Sequence, residues 1–235
     1  MVTDTTTDDR LIELRLSSPD AGGRIDARTI DELNRTLAGV ADDASLSFVV
    51  LTGLAGADLA PELFADVQAH SRWERLVGTL ERLPQVTIAV IDGDCRSAGL
   101  DLALACDCRL AAAEGSVQLQ DVKQGVLPCM VLFRLPKYVG MGVAKRMALT
   151  GARWSAESAR AAGLLDVVVP RVELGSALAG LLDEYSPVSS TAITMARRLV
   201  HESYATTAED AVGNYLAAQH RCLWKNSVAA GTASD

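Results

Sequence analysis

Residues 86–107 constrain the fold of this chain more than any other segment does. Val86–Ile91 is an apolar run rich in β-branched residues that ends at Asp92-Gly93, and it predicts a fully buried strand. Ser97-Ala98-Gly99 follow, and their small side chains predict a helix whose first turn a ligand can approach closely. The N–H groups of such a turn are unpaired and can hold a carbonyl oxygen that gains negative charge.

Size, charge and cysteine content narrow the class of protein. The 235 residues, about half of them hydrophobic, are enough for one sizeable core and a helical appendage. The formal net charge of -8 argues against a nucleic-acid surface, and no apolar run is long enough to span a membrane. The N-terminus lacks the layout of a signal peptide. Five cysteines without C-x-x-C spacing indicate neither a disulfide framework nor a metal site, so we expect a cytoplasmic protein with reduced thiols.

Strand and helix patterns alternate along the chain and predict an α/β fold. One long helix is predicted over residues 61–83, with its charged residues on a solvated face. One helix is predicted over residues 132–139, with an interruption at Pro136, and a second helix over residues 142–149. We expect a core domain over residues 1–170 and a helical C-terminal region, serving oligomerisation, over residues 171–235.

Several motifs occur in the order that is typical of the enoyl-CoA hydratase/isomerase (crotonase) superfamily, and the chain resembles that superfamily over most of its length. The motifs are Val49-Val50-Leu51-Thr52-Gly53, Ala55-Gly56-Ala57-Asp58-Leu59, residues 88–107, residues 117–128, residues 134–140, Leu149-Thr150-Gly151 and residues 159–165. The resemblance implies a crotonase-type ββα spiral core and an acyl-CoA thioester as substrate. Coenzyme A is then part of the substrate, no other cofactor is needed, and a homo-trimer or hexamer is expected.

The resemblance also implies an oxyanion hole made of two backbone N–H groups. One belongs to Ala55 or Ala57, between which the pattern does not choose, and the other to Ala98. Six further positions are implied to contact the substrate: Arg24, Gly56, Asp58, Ser97, Gly99 and Met130. Arg24 matches a basic position near the nucleotide, and an exposed arginine without a ligand is the alternative interpretation.

Two aspartates match the two acidic positions that activate water in the hydratases of the superfamily. They are Asp101, in the predicted central helix, and Asp121, four residues before Gly125. One acid must be ionised and the other protonated, which neighbouring carboxylates can achieve because one pKa is raised. Each Asp is one methylene, ~1.5 Å, shorter than the glutamate that is usual there. A helix N-terminal acid for Asp101 and a loop acid for Asp121 are the structural alternatives.

Within the superfamily, the chain is similar to the short hydratase-like proteins that accompany a type III polyketide synthase making 3,5-dihydroxyphenylacetyl-CoA, the precursor of dihydroxyphenylglycine in antibiotics. The similarity lies in residues 71–75, 80–84, 87–90, 93–95 and 210–218. It implies a hydro-lyase that dehydrates a polyketide thioester. An isomerase or decarboxylase using the same enolate is one alternative. A non-catalytic partner of the synthase, or of a longer crotonase relative, is the other.

Overall fold

The computed structural model describes residues 2–8, 10–16, 24–186 and 189–231, with side chains described up to residue 225 except at positions 2–8 and 65. The chain divides into two compact units, Met1–Leu182 and Asp183–Asp235. No helix among the described residues is both long enough and apolar enough to cross a membrane.

The first unit is built on a six-stranded sheet and two smaller sheets. The strands are β1 (Val2–Asp8), β2 (Leu11–Leu16), β3 (Arg24–Ile25), β4 (Phe48–Thr52), β5 (Asp58–Leu59), β6 (Val86–Ile91), β7 (Cys95–Arg96), β8 (Cys108–Ala112), β9 (Ser116–Gln118), β10 (Arg153–Ser155) and β11 (Val167–Val169). The main sheet has the order β1-β2-β4-β6-β8-β11, and all its pairs except β1/β2 are parallel. The smaller sheets are β10-β9-β7 and β3-β5.

Eight helices accompany the strands in the described part of the chain. They are α1 (Ala27–Asp42), α2 (Val67–Glu81), α3 (Ser97–Ala105), α4 (Val131–Thr150), α5 (Ala156–Ala161), α6 (Leu174–Tyr185), α7 (Ser190–Glu202) and α8 (Ala208–Gly231). Short 3-10 helices span Pro61–Ala65, Asp121–Gln124 and Arg171–Glu173. The alternation of strands and helices confirms the α/β class.

Two details of the predicted helices are wrong. The helix predicted over residues 61–83 is divided, because the Asp66 side chain accepts the Gln68 N–H at 2.8 Å and so begins α2 anew. Helix α4 runs through Pro136, so the interruption predicted there is wrong. Its non-helical residue is Gly140 at φ 73°, which confirms the predicted break between residues 139 and 142. That left-handed backbone conformation costs glycine less than any other residue.

Strand β6 lies at the centre of the main sheet and leads directly to the candidate site. All six of its residues are buried, because parallel neighbours pair with it on both sides and apolar groups cover both faces. A five-residue connection that includes β7 follows, and α3 begins at Ser97 with all nine of its residues buried. The sequence therefore places the first turn of α3 inside the core.

The second unit contains α7 and α8. The Asn214 side chain donates a hydrogen bond to Glu202 at 3.2 Å and so links the two helices. None of the described residues of this unit is buried. Its large exposed apolar side chains are Val200, Tyr204, Val212, Tyr215, Leu216, Leu223 and Trp224.

Candidate active site

The first turn of α3 packs directly against the turn that precedes β5. The Gly99 N–H donates to the Ala57 carbonyl oxygen at 3.2 Å. A Cβ on Gly99 would lie 2.5 Å from the Leu54 carbonyl oxygen, so only glycine allows this approach. The backbone of the predicted Ala55-Gly56-Ala57 turn is thus fixed beside the N-terminus of α3.

The three predicted oxyanion-hole amides differ in their hydrogen bonds. The Ala98 N–H lies in the first turn of α3, and no backbone carbonyl of the described residues accepts it. The Ala57 N–H donates to the Leu54 carbonyl at 3.2 Å, a bond that closes the turn. Ala55 pairs with Cys95 in an isolated antiparallel bridge. Of Ala55 and Ala57, it is Ala57 whose carbonyl oxygen is bonded to α3, at Gly99, the residue after Ala98. The N–H of Ala57 is already used in the turn bond to Leu54.

Asp121 and Ser97 form a buried pair at this helix terminus. Asp121 is 4% exposed and begins a 3-10 helix, while Ser97, the first residue of α3, is also 4% exposed. The Ser97 hydroxyl donates a hydrogen bond to Oδ2 of Asp121. The predicted acid Asp121 and the predicted substrate contact Ser97 therefore lie together, next in sequence to the Ala98 amide.

Asp58 and Arg24 lie at the edge of the same region. Arg24 is opposite Asp58 in the two-stranded sheet and is exposed. Burial raises the pKa of Asp58 above its ordinary value, and the negative charge of Asp121 raises it further. The two carboxylates are therefore close enough for the charge of Asp121 to affect the ionisation of Asp58.

Asp101 lies in a different environment from Asp121. Its side chain is fully buried, Oδ2 accepts the Trp73 Nε1–H at 2.9 Å, and Oδ1 accepts an Arg134 Nη1–H at 2.9 Å. Burial raises the pKa of Asp101 to about 7, although the charge of Arg134 acts in the opposite direction. Each of its oxygens already has a donor, Trp73 for Oδ2 and Arg134 for Oδ1.

Arg134 joins α4 to two further acids, Glu74 and Glu81, which both lie on α2. Its guanidinium is 3.3 Å from Glu74 Oε2 and 3.6 Å from Glu81 Oε2. The prediction that the α2 charges form a solvated face is therefore wrong for these two residues. Trp73 and Arg134 were not predicted as site residues. The available signal was the seven-residue spacing of Glu74 and Glu81, which places both acids on one helix face, where a cation can pair with them.

Cys129 lies among the carboxylates of both predicted acids. Burial raises the pKa of its thiol, and the negative charges of Asp101, Glu74, Asp121 and Asp58 raise it further. Its Sγ atom is 3.8 Å from Nδ1 of His70. Its backbone has φ 47°, an uncommon conformation for a residue with a side chain. The thiol is therefore kept protonated, and it lies near both Asp101 and Asp121.

Two remaining predictions concern Met130 and a metal site. The Met130 N–H donates to Glu74 Oε1 at 3.1 Å, and its side chain is 40% exposed at the start of α4. Potential ligand atoms of Glu74, Asp101 and Cys129 lie within 4.8 Å of one another. All four carboxylate oxygens in this group already accept N–H groups of Met130, Arg134 or Trp73, so the arrangement suits its own donors better than a cation.

The arrangement has the parts needed to stabilise an enolate. Amides beside a helix N-terminus can hold an oxyanion, and a buried carboxylate with a hydroxyl partner lies next to them. The profile of the enoyl-CoA hydratase/isomerase family matches residues 6–231. The chain therefore belongs to the enoyl-CoA hydratase/isomerase family, the class of protein that the fold and the site define.

Two relatives with known descriptions are similar over most of their length. The chain is 32% identical over 197 residues to an enoyl-CoA hydratase of Amycolatopsis orientalis, which covers 83% of this chain and 89% of that protein. It is 30% identical over 204 residues to the 2,3-dehydroadipyl-CoA hydratase of Escherichia coli, with 82% and 80% covered.

Solved structures confirm the crotonase-type fold. A putative enoyl-CoA hydratase of Thermobifida fusca in complex with CoA superposes with a TM-score of 0.87, covering 96% of this chain and 94% of that one at 22% identity. An enoyl-CoA hydratase of Bacillus anthracis gives a TM-score of 0.85 at 23% identity, with 93% and 89% covered.

Proposed function

We propose that this protein is a hydro-lyase that adds water to, or removes it from, an acyl-CoA thioester. The observation that carries the proposal is the buried Asp121 carboxylate, bonded to the Ser97 hydroxyl, beside the Ala98 N–H, which donates to no backbone carbonyl of the described residues. A carboxylate next to an oxyanion-binding helix terminus can move a proton at the carbon adjacent to a thioester carbonyl. Two similar proteins, of Amycolatopsis orientalis and Escherichia coli, are hydratases by name, which supports the same class of reaction.

In the proposed dehydration, the thioester oxygen lies against the amides of Ala98 and Ala57. We assign Ala57 in preference to Ala55 because the Ala57 carbonyl is bonded to α3 one residue beyond Ala98. The Ala57 N–H shares its turn bond with the incoming oxygen. Asp121 takes the α-proton, the amides hold the enolate charge, and the proton is then returned to the β-hydroxyl as its C–O bond breaks. The products are the enoyl thioester and water.

The role of Asp101 in proton transfer stays a prediction. Its pKa near 7 suits a proton donor at neutral pH. Donation to a substrate requires Arg134 or Trp73 to release one carboxylate oxygen first. As a purely structural residue, Asp101 would anchor Arg134 of α4, which also pairs with Glu74 of α2, and would so hold the two helices in place.

For the substrate, we propose a hydroxylated polyketide thioester, as in the pathway to 3,5-dihydroxyphenylacetyl-CoA. Two observations support this substrate. One is the resemblance described above, and the other is that Asp101 and Asp121 are shorter than glutamates and so leave more room for the acyl group. The predicted substrate contacts, Gly56, Asp58, Arg24, Ser97, Gly99 and Met130, then surround the acyl and nucleotide ends. A polyketide synthase and a second copy of the chain are the proposed partners.

The test is a panel of short enoyl-CoA and 3-hydroxyacyl-CoA thioesters, followed by the absorbance of the conjugated thioester. Asp121→Asn is expected to reduce kcat by about 10²–10⁴-fold, the usual contribution of general acid–base catalysis. Asp42→Asn, which removes an exposed carboxylate on α1, is the matched control and keeps full activity.

The same panel separates the alternatives. Decarboxylation of a malonyl-type thioester that survives in Asp121→Asn would favour the decarboxylase, because that reaction forms its enolate without an acid–base residue. No turnover by either protein, together with binding to a synthase that carboxylate changes do not affect, would favour the non-catalytic partner.

A further inference from the structure

The hydroxyl of Ser97 is buried, and its hydrogen-bond partner among the described residues is the carboxylate of Asp121. Ser97 is 4% exposed, and its hydroxyl donates to Oδ2 of the equally buried Asp121. Side chains on a helix tilt toward its N-terminus, so the hydroxyl of the first residue of α3 lies on the side of the unpaired N–H groups. An oxygen bound at Ala98 would therefore meet the Ser97 hydroxyl close by.

We propose that the Ser97 hydroxyl relays the proton between the substrate and Asp121. The inference rests on the proposed function and names a second participant in the same step. The Asp121 carboxylate accepts the hydroxyl proton while the Ser97 oxygen accepts the α-proton of the thioester. The two electrons of the C–H bond become the enolate, whose charge the amides of Ala57 and Ala98 hold.

The return step restores every group. Asp121 gives its proton back to the Ser97 oxygen, and Ser97 passes its own proton to the β-hydroxyl of the enolate. The C–O bond breaks, water leaves, and the enoyl thioester forms. The carboxylate is again ionised, the hydroxyl again neutral, and no co-reactant is needed.

The relay also accounts for the short side chain at position 121. An aspartate oxygen reaches ~1.5 Å less far than a glutamate oxygen from the same backbone position. An O–H···O bond spans about 2.7 Å, so the Ser97 oxygen extends the reach of the carboxylate toward the helix terminus by more than the missing methylene. The shortening therefore leaves the proton path intact as long as the hydroxyl is present.

The experiment follows release of tritium from α-tritiated butanoyl-CoA and phenylacetyl-CoA, which lack a β-hydroxyl and report enolate formation alone. Ser97→Ala is expected to slow release by about 10²-fold, within the range of general acid–base effects, and Ser97→Thr to restore most of the rate. Ser116→Ala is the matched control, because Ser116 is also buried and donates to an aspartate, Asp94, at 2.7 Å. Thermal melts verify that each variant is folded.

A solvent isotope comparison distinguishes a relay from support of Asp121 alone. In the unaltered protein the Ser97 proton moves in the same step, so release is slower in D₂O than in H₂O. In Ser97→Ala, where Asp121 takes the α-proton directly, that difference disappears.

Three outcomes would overturn the relay. One is a wild-type rate in Ser97→Ala, and the second is an equal rate in H₂O and D₂O for the unaltered protein. The third is an acyl adduct on Ser97 with free CoA, seen by intact mass, because a nucleophilic serine is a different reaction. Tritium release that persists in Ser97→Ala keeps the proposed function, whereas no release from the unaltered protein overturns both.

Discussion

The stability of this protein is expected to depend on pH through Asp101. Burial raises the pKa of this carboxyl from its ordinary value of 3.8 to about 7. Between these two pH values the folded protein therefore binds a proton that the unfolded chain does not. Stability gained from that proton is fully present below about pH 4 and is lost as the pH rises to about 7.

The size of the effect follows from the pKa difference of about 3. One pKa unit corresponds to 1.36 kcal/mol, so the free energy of unfolding falls by about 1.4 kcal/mol for each pH unit across this window, and by about 4 kcal/mol in total. Asp101→Asn removes the ionisation and leaves a fixed cost of about 1–3 kcal/mol, because the amide cannot accept from both Trp73 and Arg134.

The measurement is urea unfolding of both proteins from pH 4 to pH 8. The difference in unfolding free energy, unaltered protein minus Asp101→Asn, is expected to decline from pH 4 to pH 7 and then to level off. Asp31→Asn removes an exposed carboxylate on α1 with the same change in charge and is the matched control. A difference for Asp101→Asn that does not change with pH would refute the argument that burial dominates at this carboxyl.

Three other changes test how the site is held together. Arg134→Met removes the positive charge that pairs with Glu74, Glu81 and Asp101. The substitution is expected to lower the free energy of unfolding, measured by urea titration, by about 3–5 kcal/mol. Trp73→Phe removes the N–H donor to Asp101 and is expected to lower the free energy of unfolding by about 1–3 kcal/mol in the same titration. Trp73→Tyr, which also lacks this N–H, is expected not to restore the lost stability. Gly99→Ala places a methyl group 2.5 Å from a backbone oxygen, so we expect a lower Tm and loss of thioester turnover together; unchanged values for both would contradict the close packing of the two turns.

The central fold could be predicted because its signals are local. The β-branched run of β6 and the small residues that begin α3 are adjacent in sequence and have one structural meaning. The division at Asp66 was missed because it depends on the cap of one residue, which periodicity does not register. The break at Gly140 falls between the helices predicted over 132–139 and 142–149, where the small residues Gly140 and Gly142 were a local signal.

The candidate site could be predicted only in part, because some of its residues contact partners that are far away in the sequence. The motif spacing brings Asp121 and Ala98 into the predicted site, and the structure adds the bond to Ser97. The partners of Asp101 could not be found in this way, because Arg134 lies 33 residues from Asp101 and 60 from Glu74. Such pairs arise from helix packing, and no pattern within one segment encodes them.

The four carboxylates around Cys129 have a chemical consequence for an enzyme that handles enoyl thioesters. Conjugated thioesters are electrophiles, and a cysteine thiolate beside one would add to its double bond and inactivate the protein. The thiolate is the reactive form, and burial together with Asp101, Glu74, Asp121 and Asp58 raises the pKa of this thiol. In the proposed reaction, the same acids would therefore protect the protein from alkylation by the enoyl thioester.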